Sequence, residues 1–216
     1  MISVKLVLAL AVFAVDLQEI LGHGKLMRPI ARASRWRDDR FNESEPHYED
    51  NQLYCGGIGV YTSNGYKCGV CGDPYNQPSP RENENTGKYG NGIIVETYRK
   101  GQQIKANVSL DTNHKGYFKF ALCPLSKKQP IETEECFKKY PLKLTNGSRL
   151  RPIKRWEQGF ILIDLNLPKN LTCEHCSFRW HYRSGNNWHP CRDGAGRTGC
   201  SLNHEVFRGC ADIRII

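Results

Sequence analysis

The sequence predicts an all-β protein, an antiparallel β-sandwich carrying a long disulfide-stapled loop region. Short runs of β-branched and aromatic residues recur from residue 93 onward, several alternating with a two-residue period. Turn-rich connections separate them, and helical periodicity is nearly absent. Ten cysteines stand in a chain of 216 residues, an even number suited to a disulfide framework.

Taken in order, residues 2–15 are an apolar run with one lysine, Lys5. The run has the length of a signal-peptide core and is too short to span a bilayer well. Gly22 offers a small residue before a cut, so residues 1–22 read as a signal peptide and residues 23–216 as a single secreted, extracellular domain. No later run is apolar enough to cross a membrane. The export route is oxidising, so Cys55, Cys68, Cys71, Cys123, Cys136, Cys173, Cys176, Cys191, Cys200 and Cys210 are expected in disulfides, with their pairing open. Glycosylation sequons at Asn42, Asn107, Asn146 and Asn170 agree with export. The net charge of +9 comes from scattered residues with no recognisable nucleic-acid motif, so nucleic acid is set aside.

Residues 23–92, rich in Gly, Pro, Asn, Asp and Tyr, predict a long irregular region stapled through Cys55, Cys68 and Cys71. Residues 93–98 predict a strand. Ile104, Ala106, Val108 and Leu110 alternate with Lys105, Asn107 and Ser109, which places Asn107 on the solvent face. Residues 116–122 give another strand, and a short helix is expected near residues 132–139. Residues 160–165 predict a buried strand. Phe178, Trp180 and Tyr182 alternate with Arg179, His181 and Arg183, and residues 210–215 close the chain as a strand. No internal repeat or second domain is visible.

The chemistry starts at His23. Cleavage after Gly22 makes it the first residue, with an α-amine and an imidazole that can chelate one metal ion. A third nitrogen would complete a planar set that suits copper best among the biological metals. The amine must lose its proton to ligate, and its reference pKa is about 7.7–8.0. Candidates for the third nitrogen are His47, His114, His175, His181, His189 and His204. His114 stands out because it lies in the turn between two strands, where a sheet edge would hold it. Zinc is the rival for Cys68-x-x-Cys71 and Cys173-x-x-Cys176, but about a hundred residues separate the pairs. A hydrolase is disfavoured: no pair of carboxylates stands apart from the other acids, and no Gly-x-Ser-x-Gly elbow is present.

The opening His23-Gly24-Lys25-Leu26 is followed by the block from Tyr48 to Gly57 and by Lys67-Cys68-Gly69-Val70-Cys71-Gly72-Asp73. Then come Asn113-His114-Lys115-Gly116-Tyr117-Phe118, Phe178-Arg179-Trp180-His181-Tyr182, and the stretch from Glu205 to Ile213. In combination these blocks resemble the lytic polysaccharide monooxygenases of auxiliary-activity family fifteen, over nearly the whole of residues 23–216.

The resemblance implies an immunoglobulin/fibronectin-like sandwich and a single copper monooxygenase catalytic domain. It implies one copper per chain on His23 and His114, with Phe207 at a non-ligating axial position and Glu205 as a supporting carboxylate. It further implies an external electron donor, with molecular oxygen or hydrogen peroxide as co-substrate. The expected partner is insoluble polysaccharide, chitin ahead of cellulose, oxidised at the anomeric carbon by a monomer. The flat face expected to meet that substrate should draw aromatic groups from residues 23–92. Two positions depart from the family pattern: His204 replaces an expected glutamine and His189 an expected glycine. The competing reading is a non-catalytic secreted chitin-binding module of the same fold, which would not need His23 at its terminus. A copper-storage protein is a further alternative.

Overall fold

The computed structural model describes residues 23–191, 193–200 and 203–216. The expected signal peptide, residues 1–22, lies outside the described residues. The strands are β1 (His23–Arg28), β2 (Glu96–Tyr98), β3 (Gln103–Thr112), β4 (Tyr117–Pro124), β5 (Lys143–Leu144), β6 (Arg151–Pro152), β7 (Gly159–Asn166), β8 (Cys173–Arg183), β9 (Trp188–Pro190), β10 (Gly196–Thr198) and β11 (Val206–Ile215). Two short helices accompany them, α1 (Gly57–Ser63) and α2 (Glu134–Lys139). The second starts where Thr133 caps it, its hydroxyl accepting from the Cys136 amide at 3.1 Å. No helix among the described residues is long and apolar enough to cross a membrane.

One sheet runs β1-β3-β7-β5 and the other β2-β11-β8-β4-β6, with β9 and β10 forming a separate ribbon. Val108 and Leu110 of the first sheet share one core with Phe118, Phe178, Trp180, Tyr182 and Phe207 of the second. The expected sandwich is therefore present. Burying each such side chain contributes about 1.5–3 kcal/mol, and the period-two alternation aims them inward.

Four local expectations change. The region 23–92 is not wholly irregular: it holds β1, α1 and two 3-10 turns, Arg32–Arg37 and Asp39–Phe41. Strand character at β1 comes from its neighbour β3, because the six residues alone carry only a weak pattern. The strand expected at 93–98 shrinks to β2, which pairs parallel to β11 in an otherwise antiparallel sheet. Val95 only touches that edge, its amide donating to the Asp212 carbonyl at 2.8 Å. The strand at 160–165 is buried on one face only, with Phe160 71% and Leu162 62% exposed, because its sheet leaves its outer face open to solvent. Asn107 is half-buried between β1 and β7, with its side-chain oxygen enclosed. Asn42, Asn146 and Asn170 are exposed.

The stapled loop is real. The disulfides are Cys55–Cys68, Cys71–Cys210, Cys123–Cys136, Cys173–Cys176 and Cys191–Cys200, and no cysteine is free. Cys71–Cys210 ties the loop to β11. Arg32 repeats the attachment: fully buried, it donates to Asp212 of β11 at 2.8 Å and to Glu132. Glu132 in turn accepts from the Asn85 amide at 2.9 Å, so three distant segments converge on one guanidinium. A buried charge needs that many partners to offset its lost hydration.

Candidate metal centre

In the antiparallel register of β1 on β3, His23 faces Thr112, two residues before His114. The expected pair is therefore brought to one edge of the sandwich. Gly24 permits the approach, since a Cβ there would meet the Ser109 carbonyl at 3.2 Å and the Trp180 ring at 3.3 Å. Asp111 locks the strand in place, accepting from Lys25 at 3.1 Å, Asn51 at 2.9 Å and Ser109 at 2.9 Å. Burial would raise that carboxyl, but the three donors outweigh it and hold it below the usual range.

His114 is buried, while His23 is half-buried. The turn after His114 is shaped by Lys115 and Gly116, both at positive φ. A Cβ on Gly116 would collide with the Arg183 carbonyl, so glycine is required there. The His114 amide donates to the Tyr182 hydroxyl oxygen at 3.0 Å, and its carbonyl accepts from the Gly185 amide at 2.8 Å. Burial pushes the Tyr182 phenol up, so it stays protonated. The imidazole Nδ1 lies 3.0 Å from Glu205 Oε2. An ionised carboxylate there fixes the ring proton on Nδ1 and leaves Nε2 with a free lone pair. This is the tautomer a metal ligand needs.

Phe207 is fully buried and stacks between Tyr54 and Tyr182, at 5.7 Å and 5.6 Å between ring centres. It has no ligating atom.

The remaining histidines lie in other settings. His47 packs on Tyr89, His175 sits 2.7 Å from Asp212, His181 contacts Arg208, and His189 is exposed on the ribbon. His204 is buried beside the Gly199 backbone. Burial and then Arg183 pull it below its ordinary value. The zinc alternative is excluded by the pairing, since Cys68 and Cys71 belong to different disulfides and Cys173 pairs with Cys176. Cys71 and Cys210 also approach Glu132, but their sulfurs are spent in one disulfide.

Two segments bonded to the His114 turn carry exposed aromatic groups from outside residues 23–92. Asn113, beside His114, donates to the carbonyls of Lys154 at 2.8 Å and Glu157 at 2.5 Å, tethering the loop that carries Trp156, 78% exposed. On the other side Lys115 reaches Thr198 at 3.3 Å, the partner of exposed Trp188 in the ribbon. Within residues 23–92, Tyr48, Tyr66 and Tyr75 are exposed; Tyr48 packs on Trp36, whose indole donates to the His47 carbonyl. No composition signal singled out Trp156 or Trp188, because their placement depends on bonds to residues 113 and 115.

Residues 23–213 match the family described as lytic polysaccharide mono-oxygenase, cellulose-degrading. Among solved structures the chain is similar to an AA15 lytic polysaccharide monooxygenase from Thermobia domestica in the Cu(I) state. The two share 40% identity over 89% of this chain and 98% of that one, with a TM-score of 0.84. It is also similar to the copper-bound, cellulose-active monooxygenase CelS2, at 12% identity over 89% of this chain and 98% of that one. The TM-score of that likeness is 0.47. No curated protein matches the chain.

Proposed function

The chain belongs to the lytic polysaccharide monooxygenase family, and from that premise we propose that it oxidises chitin at the anomeric carbon, with copper on His23 and His114. It is a copper-dependent monooxygenase that cleaves insoluble polysaccharide oxidatively. The observation that carries the residue assignment is His23 opposite Thr112, two positions before an imidazole whose Nδ1 is held by Glu205.

The donor set fits the metal. Two imidazoles and one terminal amine are nitrogen ligands of the kind copper prefers in a planar site. The amine requires processing after Gly22, and the family match starting at residue 23 supports that cut and secretion of residues 23–216 as one catalytic domain. Bound copper supplies one-electron chemistry, drawing on an external donor and on molecular oxygen or hydrogen peroxide.

The protein's own groups do the rest. Glu205 keeps the His114 proton on Nδ1, and Tyr182 anchors the turn through the His114 amide. Phe207, fully buried and stacked between Tyr54 and Tyr182, would offer the metal no ligating atom and keeps water out of that part of the site. Trp156 and Trp188 offer exposed faces on which sugar rings can stack, as a crystalline surface requires. Asn42, Asn146 and Asn170 stand open as glycan acceptors, and we take the protein to act as a monomer.

Cellulose is the second reading, favoured by the description of the matching family. Mass spectrometry of soluble products from chitin and from cellulose, with copper and ascorbate, decides between them. Aldonic-acid chitooligosaccharides are expected; oxidised cello-oligosaccharides alone would reassign the substrate, and unoxidised sugars alone would refute the proposal.

A further inference from the structure

On the face of the five-stranded sheet turned away from the core, a cavity of about 500 Å³ opens beside β4, β8, β11 and α2. Its register row, Lys119 with His181 and Arg208, adjoins the row of Phe118, Tyr182 and Phe207. Adjacent rows point to opposite faces of a sheet, so the cavity is separate from the candidate metal centre.

Charge in the cavity is unbalanced. Arg179, buried, and Arg208 share the single carboxylate of its lining: Glu134 Oε2 lies 3.1 Å from Arg179, and Oε1 pairs with Arg208. Exposed Lys119 and Arg149 add two cations around the opening, and Lys138 stands there 4.0 Å from Glu135. Burial, then the repulsion of Arg208, lowers Arg179 to about 10. Burial, then Arg208, Arg179 and Lys119, pull His181 well below its ordinary value, so the ring is neutral. His181 Nδ1 accepts from Arg208 Nε at 3.3 Å, which leaves the ring proton on Nε2 as a further donor.

The walls specify more than charge. Phe137 is buried and backs the Arg179 guanidinium, 4.0 Å from its ring centre, while Pro141 and exposed Leu150 form the open apolar side. The volume falls in the range of small-molecule sites, which are largely apolar with a few placed polar groups. Sulfate or phosphate would meet the cations and leave that wall unused. We propose that this cavity is a second ligand site, selective for a small organic carboxylate, with its head between the exposed cations Lys119 and Arg149 and its body on the apolar wall.

Calorimetric titration of the processed protein with benzoate tests this, with benzyl alcohol and inorganic sulfate as comparison probes. Saturable binding of one benzoate per chain is expected, about tenfold or more tighter than either comparison probe. The double variant Lys119→Gln/Arg149→Gln leaves the buried guanidiniums in place and should weaken benzoate about tenfold while copper affinity stays unchanged. Absence of saturable benzoate binding at millimolar concentration overturns the proposal. So does sulfate binding as tight as benzoate, or a double variant that binds benzoate as the parent does.

Discussion

Glu205 Oε2 stands 3.0 Å from His114 Nδ1, joining residues 91 positions apart at the edge where β1 enters the sheet. The contact sets the imidazole tautomer before any metal arrives. Outer-sphere partners of this kind typically contribute 10–100-fold in metal affinity. Glu205→Ala should therefore lower copper affinity by about that range. Glu205→Gln retains an acceptor oxygen and should lose less. Titration calorimetry with copper checks both, and an unchanged affinity in Glu205→Ala would reduce the contact to packing.

An extra glycine ahead of His23 should abolish tight copper binding and polysaccharide oxidation together. It converts the terminal amine into an amide, whose nitrogen has no free lone pair at neutral pH. Folding should be unaffected, since β1 pairs with β3 through backbone groups from His23 onward. Copper titration and thermal unfolding of the extended and processed chains separate the two effects. Equal copper affinity in both would remove the terminal amine from the ligand set.

His114 was legible because a turn between two alternating segments fixes its place regardless of distant contacts. Trp180 and Tyr182 were legible as core for the same reason: a two-residue period survives any packing partner. β1 was not, since its strand state is conferred by β3 across more than eighty residues. The ribbon of Trp188–Pro190 with Gly196–Thr198 carries proline and glycine instead of a strand pattern. Disulfide partners were equally hidden, because Cys71 finds Cys210 only once β11 is in place. Glu205 could be named through family likeness, but its hold on His114 required coordinates.

Asp212 should govern part of the acid stability. Burial alone would raise its carboxyl, yet Arg32 and then His175 hold it well below the carboxylate range. Its folded-state value thus lies under the unfolded one, about 3.9. The contribution is complete above about pH 4 and is lost as pH falls through the folded value, because the unfolded chain takes its proton first. Asp212→Asn leaves Arg32 buried with one fewer counter-charge and should cost about 3–5 kcal/mol at neutral pH. It should also flatten the stability slope below pH 4. Denaturant unfolding from pH 2 to 7 measures both, and a parallel pair of pH profiles would contradict the assignment.

The disulfides should differ in weight according to the loops they close. Cys71–Cys210 spans 139 residues, whereas Cys173–Cys176 spans 3. Chain-entropy scaling gives about 5 kcal/mol for the first and about 1.6 kcal/mol for the second. Cys71→Ala/Cys210→Ala should therefore lower the melting temperature far more than Cys173→Ala/Cys176→Ala. Comparable losses would mean that native-state packing around each sulfur outweighs loop closure.

Trp156 and Trp188 lie on segments bonded to Asn113 and Lys115, the neighbours of His114. Replacing either with alanine should weaken adsorption to chitin and leave copper affinity alone. Stacking of this kind contributes about 0.5–1.5 kcal/mol beyond area, which is roughly two- to tenfold in binding at 1.4 kcal/mol per decade. The double variant should lose close to the product of the single effects, because the two rings sit on separate supports: a tethered loop and a β-ribbon. Adsorption isotherms beside copper titrations measure this directly. If neither single variant binds chitin less well, the substrate must meet another face, and the edge holding His23 and His114 would have to reach it from elsewhere.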